Sequence, residues 1–246
     1  MYSLQQMTID LFVPCYIDQF YPETANHAIK LLEKCGIQVN YNPEQTCCGK
    51  ELYDAGFFDN AKSIGEKFLD DFNTKNTIVG LSPACVGHIK NNYQTIFYNT
   101  GSHYQSIEIS NNIFELTDFL VNKIKKTDFG STFEANAYYH DSCHALRKYP
   151  HCLKEEPRAL LRNVAGLNLV EIDDDECCGF GGIFSLKYSA ISSAMVEQKV
   201  QKAMDAGVSY IISADCSCLL NIDAYVKKHN LPITTMHIVD VIANSL

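Results

Sequence analysis

Two stretches of the chain pair adjacent cysteines with a glycine, Cys47-Cys48-Gly49 and Cys177-Cys178-Gly179. Each has a lone cysteine upstream, Cys15 or Cys143, and another downstream, Cys85 or Cys218. Corresponding members stand 128 (15 to 143), 130 (47 to 177) and 133 (85 to 218) positions apart, so eight cysteines recur in register and the chain is an internal duplication. Neighbouring cysteines close a disulfide only with a distorted dihedral, because the trans peptide between them is stiff. Two thiolates side by side, followed by a glycine that lets backbone approach closely, are suited instead to gripping a metal or a cluster. Burial as small apolar side chains accounts for single cysteines but not for the register. By ligand type alone, four thiolates on one rim suit an iron–sulfur cluster or a tetrahedral zinc ion equally. Spacing favours the cluster, since structural zinc usually takes close Cys-x2-Cys knuckles and neither half has one.

Length and composition are compatible with two modest domains. The 246 residues are 46% hydrophobic and 20% charged, ordinary globular values. A formal charge of −9, with no basic run longer than Lys125-Lys126, argues against nucleic acid and anionic membrane surfaces as partners. The first ten residues lack the basic start and long apolar stretch of an export signal, and no run of apolar residues is long enough to span a bilayer. A cytoplasmic setting is therefore expected, where eleven cysteines serve metal or redox chemistry better than structural disulfides.

The elements that must position these thiols follow one order twice. Residues 8–13 read as a buried strand ending at Cys15, and Pro22 opens a helix that keeps apolar spacing to Cys35 and stops at Gly36. A strand at 37–41 runs into the first Cys-Cys-Gly loop; a helix over about 58–73 and a strand at 77–81 then deliver Cys85. Residues 100–112 show no periodicity and lead to a helix predicted over 113–125. The polar stretch 125–132 marks a boundary, giving domains of 1–128 and 129–246. In the second half the spacing predicts strands at 135–139, 167–172, 208–213 and 232–236, with helices over 155–163, 188–206, from Leu219 onward and over 238–244, so that Asp118 and Asp240 correspond. Strand, cysteine, helix, strand, cysteine pair, helix, strand, cysteine is a run of βαβ units. The expected fold is α/β: two tandem, pseudo-symmetric βαβ domains with mostly parallel sheets and all eight cysteines at the carboxyl ends of strands, where such sheets gather ligand groups.

The pattern of a cysteine, some thirty residues, Cys-Cys-Gly, some thirty more and a closing cysteine resembles the cysteine-rich CCG family of iron–sulfur proteins. That family occurs in heterodisulfide reductase, the glycolate oxidase iron–sulfur subunit and lactate utilisation proteins. The chain's size, the absence of an added ferredoxin domain and its Asp-x-x-Cys-Leu-Leu run at 215–220 look most like the lactate utilisation branch. One departure stands out. Where the heterodisulfide reductase type closes with Cys-x-x-Cys, this chain has Cys85-Val86-Gly87-His88 and Cys218-Leu219-Leu220-Asn221, so a simpler four-cysteine cluster per half is expected.

The resemblance implies an iron–sulfur electron-transfer subunit of an L-lactate-oxidising complex, hence part of an oxidoreductase. It implies a 4Fe-4S-type cluster in each domain, one held by Cys15, Cys47, Cys48 and Cys85, the other by Cys143, Cys177, Cys178 and Cys218. His88 and Cys216 are further candidate ligands. His140, Asp141 and His144, which bracket Cys143, either tune the cluster or orient a substrate carboxylate, or else form a polar strand end facing solvent. Cys35 is expected in the core, and Gly179-Phe180-Gly181-Gly182 reads as loop geometry, there being no dinucleotide fingerprint after a strand. With no ferredoxin run in the chain, a ferredoxin-type partner subunit is implied, with a small 2-hydroxy acid as the substrate of the complex. A glycolate oxidase or heterodisulfide reductase-like subunit, a zinc-stabilised non-redox scaffold and a thiol–disulfide switch are the alternatives.

Overall fold

The computed structural model describes residues 7–73 and 75–244, so the outermost residues of both expected domains, 1–6 and 245–246, lie outside the described part. In the first half, β1 (Thr8–Phe12) is followed by α1 (Cys15–Phe20), α2 (Pro22–Lys34), β2 (Gln38–Asn40), α3 (Lys50–Asp54), α4 (Phe58–Asp71), β3 (Thr77–Gly80), α5 (Pro83–Ile96), α6 (His103–Asn112), β4 (Ile113–Glu115) and α7 (Leu116–Asp118), which runs on as a wider π-helical turn to Ile124. The second half has β5 (Thr132–Tyr139), α8 (Cys143–Arg147), α9 (Glu155–Leu161), β6 (Ala165–Leu169), α10 (Ile183–Lys187), α11 (Ser189–Asp205), β7 (Tyr210–Ser213), α12 (Cys216–His229), β8 (Thr234–His237) and α13 (Ile238–Ile242).

The strands form two four-stranded sheets ordered β2-β1-β3-β4 and β6-β5-β7-β8, and every pairing is parallel. The chain thus leaves β1 to one side and returns to its other side, and does the same around β5. Ligand groups in open parallel sheets collect at such a switch point, beyond the strands' carboxyl ends. The expected α/β architecture and its duplication are both present.

The two sheets share their largest core. Ile9, Leu11 and Val79 of the first sheet cluster with Ala137, Tyr139 and Ile212 of the second, with α2, α9 and α13 supplying Leu31, Leu160 and Ile238. Each half also keeps its own cluster on the other side: Phe12, Phe68 and Phe72 in the first, Val196, Val200 and Ile222 in the second.

Three expectations need correction. The helix predicted over 113–125 begins as a strand, because Ile113 and Glu115 point into the core while the edge strand pairs with β3. The Glu115 carboxylate then caps the helix, accepting from the backbone N–H of Thr117 at 2.8 Å and of Asp118 at 3.3 Å. Residues 103–112 form a helix where no periodicity was visible, since its buried face includes Ser106 and Ser110 beside Ile109. The sixth strand runs over 165–169 rather than 167–172, entered through Gly166 at φ +81°.

Candidate functional site

In the first half the three cysteine positions follow β1, β2 and β3 in turn. Cys15 opens α1 directly after Pro14; Cys47-Cys48-Gly49 leads into α3; Cys85 is the third residue of α5. All four sulfurs line one cavity, and Cys15 Sγ lies 3.6 Å from Cys47 Sγ. In the second half Cys143 opens α8 behind the cap Ser142, whose Oγ accepts from Ala145 N–H at 3.1 Å, and Cys218 sits in the first turn of α12. Cys85 and Cys218 thus occupy the first turns of the long helices α5 and α12.

The glycines of the two motifs are required by backbone shape. Gly49 has φ +77° and Gly179 φ +84°, and a Cβ at either would meet helix backbone, Ala61 O of α4 at 3.0 Å or Ser192 O of α11 at 2.8 Å. The turn aims the glycine N–H back at the first cysteine: Gly49 N to Cys47 Sγ and Gly179 N to Cys177 Sγ are each 3.4 Å. The second cysteine's carbonyl is held from the third segment, by Tyr93 Oη at 3.0 Å from Cys48 O and by Asn221 Nδ2 at 2.8 Å from Cys178 O.

The thiols of each set differ in acidity. Hydrogen bonds from Cys15 and Cys48, with the Gly49 N–H, hold the Cys47 thiol far below its ordinary range; Cys143, Cys178 and Gly179 do the same for Cys177. The donors are pushed up in turn: Cys15 and Cys48 by bonding to Cys47, Cys143 and Cys178 by bonding to Cys177, with burial adding to each. Cys47 and Cys177 therefore form thiolates readily, whereas Cys15, Cys48, Cys143 and Cys178 ionise only when a cation replaces their protons. That is the behaviour of a metal-ligand set, which suits the thiol-bound cluster or metal the motif implies. All eleven cysteines are free thiols.

The second set has a member that the spacing alone did not assign. A ring nitrogen of His140, Cys178 Sγ and Cys218 Sγ all lie within 4.8 Å of one another. His140 is 0% exposed and Asp141 5%, so the alternative of a polar strand end facing solvent is overturned. Asp141 is instead clamped by Arg158 through bonds of 2.9 and 2.7 Å, with Glu171 on the guanidinium's other edge. The signal for His140 lay in the duplication: 128 positions earlier, the offset that relates Cys143 to Cys15, stands Phe12.

The two further candidates fall elsewhere. Cys216, though part of the second half, lines the first-half cavity together with Asp215 and Ser217. His88 lies on a neighbouring cavity of about 420 Å³ between α3, α5 and α8, which Lys50, Asp54, His144, Arg147 and Lys148 also line. Its Nδ1 meets Asn92 Nδ2 at 2.9 Å, burial lowers its pKa to about 4 so that the ring is neutral, and its buried Nε2 has no partner among the described residues. Lys50, which lines both cavities, is tied to Asp54 at 2.6 Å. Cys35 donates to Leu31 O at 3.3 Å and packs against the shared core as expected; Cys152 is exposed.

Comparison with known proteins places these sites in context. The sequence profile of the CCG cysteine-rich domain matches residues 9–90 and 137–223, once per half. Lactate utilization protein A 2 of Bacillus cereus is 33% identical over 242 residues, covering 98% of this chain and 99% of the relative. Lactate utilization protein A of Oceanobacillus iheyensis is 34% identical over 238 residues, 96% of each chain. Among solved structures, glutamate racemase RacE1 of Bacillus anthracis overlays with a TM-score of 0.37 at 14% identity, over 97% of this chain and 79% of that one.

Proposed function

The chain belongs to the CCG cysteine-rich domain family, and from that premise we propose that it is the iron–sulfur electron-transfer subunit of a complex oxidising L-lactate to pyruvate. The observation that carries this reading is the gathering of two in-register sets of four cysteines, each at the switch point of its own parallel sheet, in a chain similar to lactate utilization protein A along nearly its whole length.

Cys15, Cys47, Cys48 and Cys85 would hold one cluster, and Cys143, Cys177, Cys178 and Cys218 the other, in domains of 1–128 and 129–246. Bound there, such clusters supply one-electron transfer. The chain's own contribution is to fix the thiols, to stabilise Cys47 and Cys177 as thiolates through the glycine N–H groups, and to keep the buried partners Cys48 and Cys178 from water. Electrons would pass to a ferredoxin-type partner subunit in the cytoplasm. No described helix is long and apolar enough to cross a membrane. The cavity beside His88, with Arg147 and Lys148 on its wall, suits the carboxylate of a small 2-hydroxy acid.

The test is iron, sulfide and zinc content, with absorption and electron paramagnetic resonance spectra, on protein purified without oxygen. Brown protein whose iron and sulfide fall on Cys48→Ser and on Cys178→Ser supports the reading. Colourless protein holding zinc, or no metal after reconstitution with iron and sulfide, overturns it, in favour of a zinc-stabilised scaffold or a thiol switch respectively.

A further inference from the structure

His140 stands at the carboxyl end of β5 and is immobilised by its backbone. Its N–H donates to Ile212 O at 2.7 Å and its carbonyl accepts from Ser213 Oγ at 3.0 Å, so both main-chain groups are tied to β7. Its ring is fully buried, and neither nitrogen has a hydrogen-bond partner among the described residues. An imidazole enclosed in this way gives up its hydrogen bonds to water without replacing them, so the fold needs a compensating partner at this spot. The geometry offers one candidate position, since a ring nitrogen shares a 4.8 Å sphere with Cys178 Sγ and Cys218 Sγ.

The first half is built differently at the same place. Phe12 is also fully buried, but it spends its face on hydrocarbon, packing edge-on against Phe68 at 4.9 Å and Phe72 at 5.7 Å between ring centres. Duplication has therefore left a ligand-capable ring in one half and an inert one in the other.

We propose that His140 coordinates the metal of the second centre through a ring nitrogen, so that this centre has a mixed thiolate and imidazole donor set while the first has no imidazole from this position. This rests on the reading that the cysteine sets hold metal, though not on which metal.

The experiment uses the full chain labelled with nitrogen-15 histidine, reconstituted with iron and sulfide without oxygen and read by pulsed electron paramagnetic resonance. A strongly coupled histidine nitrogen is expected, lost in His140→Phe and in Cys178→Ser but retained in Cys48→Ser. The cysteine variants keep the test sound if His140→Phe does not fold. Absence of the coupling from protein with both centres loaded, or its survival in His140→Phe, overturns the proposal. Should the protein take up zinc and refuse iron, the electron-transfer reading fails, yet X-ray absorption at the zinc edge still decides the ligand: a nitrogen neighbour lost with His140→Phe supports it, and an all-sulfur shell overturns it.

Discussion

Tyr149 Oη donates to Asp118 Oδ2 at 2.7 Å while accepting from Glu115 N–H at 3.1 Å, so a side chain of the second half caps the last helix of the first. The reverse contact exists at the corresponding aspartate. Thr24 Oγ1 donates to Asp240 Oδ2 at 2.8 Å, and His27 Nδ1 lies 2.8 Å from Asp240 Oδ1. Each half therefore grips the other through the same position of the repeat, with the shared core between the two grips.

Removing the Tyr149 hydroxyl should be costly for its size. Tyr149→Phe strands the buried Asp118 carboxylate oxygen and the Glu115 N–H, and a loss of about 1–3 kcal/mol is expected in chemical denaturation. Metal content per folded chain should stay unchanged, because the hydroxyl touches neither cysteine set.

Stability should vary with pH through Glu115. Burial raises its pKa to about 7 from the ordinary 4.5, against the hydrogen bonds from Thr117 and Asp118 that lower it. The folded chain thus holds this proton more tightly than the unfolded one. Its contribution is fully present below about pH 4.5 and is lost as pH rises to about 7, on the order of 3 kcal/mol in all. In Glu115→Gln the carbonyl oxygen can still accept the capping bonds, and this part of the pH dependence should vanish. Denaturation midpoints at pH 5 and pH 8 for both proteins check it; an unchanged difference between the two pH values would count against the assignment.

Alanine at the two motif glycines should act unequally. Both positions carry a left-handed backbone, which costs a side chain about 1–2 kcal/mol. At Gly179 the new Cβ would also lie 2.8 Å from Ser192 O and 3.0 Å from Met195 Cβ, tighter than the 3.0 Å approach to Ala61 O at Gly49. Gly179→Ala should therefore lower the melting temperature more than Gly49→Ala, and each should deplete the metal of its own half, as read by metal analysis.

Cys216→Ser offers a test of which half the residue serves. Because Cys216 lines the first-half cavity, the substitution should alter the resonance signal of the first centre and leave that of the second in place. The paired controls are Cys48→Ser and Cys178→Ser, which identify the two signals.

The cavity beside His88 should report on small acids. Arg147→Ala together with Lys148→Ala is expected to weaken L-lactate binding roughly tenfold, equivalent to about 1.4 kcal/mol, with the metal content intact. Calorimetric titration of wild type and variant at two salt concentrations measures it.

The framework of the site was legible in the sequence because the repeated cysteines fix both the register of the duplication and the strand ends that carry it. The amphipathic helices α2, α4 and α11 and the strands ending at Cys15 and Cys85 lie close to their predicted positions. The short helices α1, α3, α8 and α10 did not show, being too brief for a 3.6-residue period to declare itself. Edge strand β4 was hidden in a run that also reads as helix, although the repeat could have exposed it: Glu115 and His237 both end edge strands and both cap the helix that follows. His140 was singled out beside Cys143 but left between alternatives, since a histidine beside an aspartate looks hydrated until the tertiary structure buries it.

The first turn of α12 faces two ways. Cys216 opens it on the first cavity, and Cys218, two residues on, belongs to the second cysteine set. A single helical turn, about 5.4 Å in pitch, thus carries one thiol on the first cavity and another in the second cysteine set. A shift of this one turn would therefore disturb both cysteine sets at once.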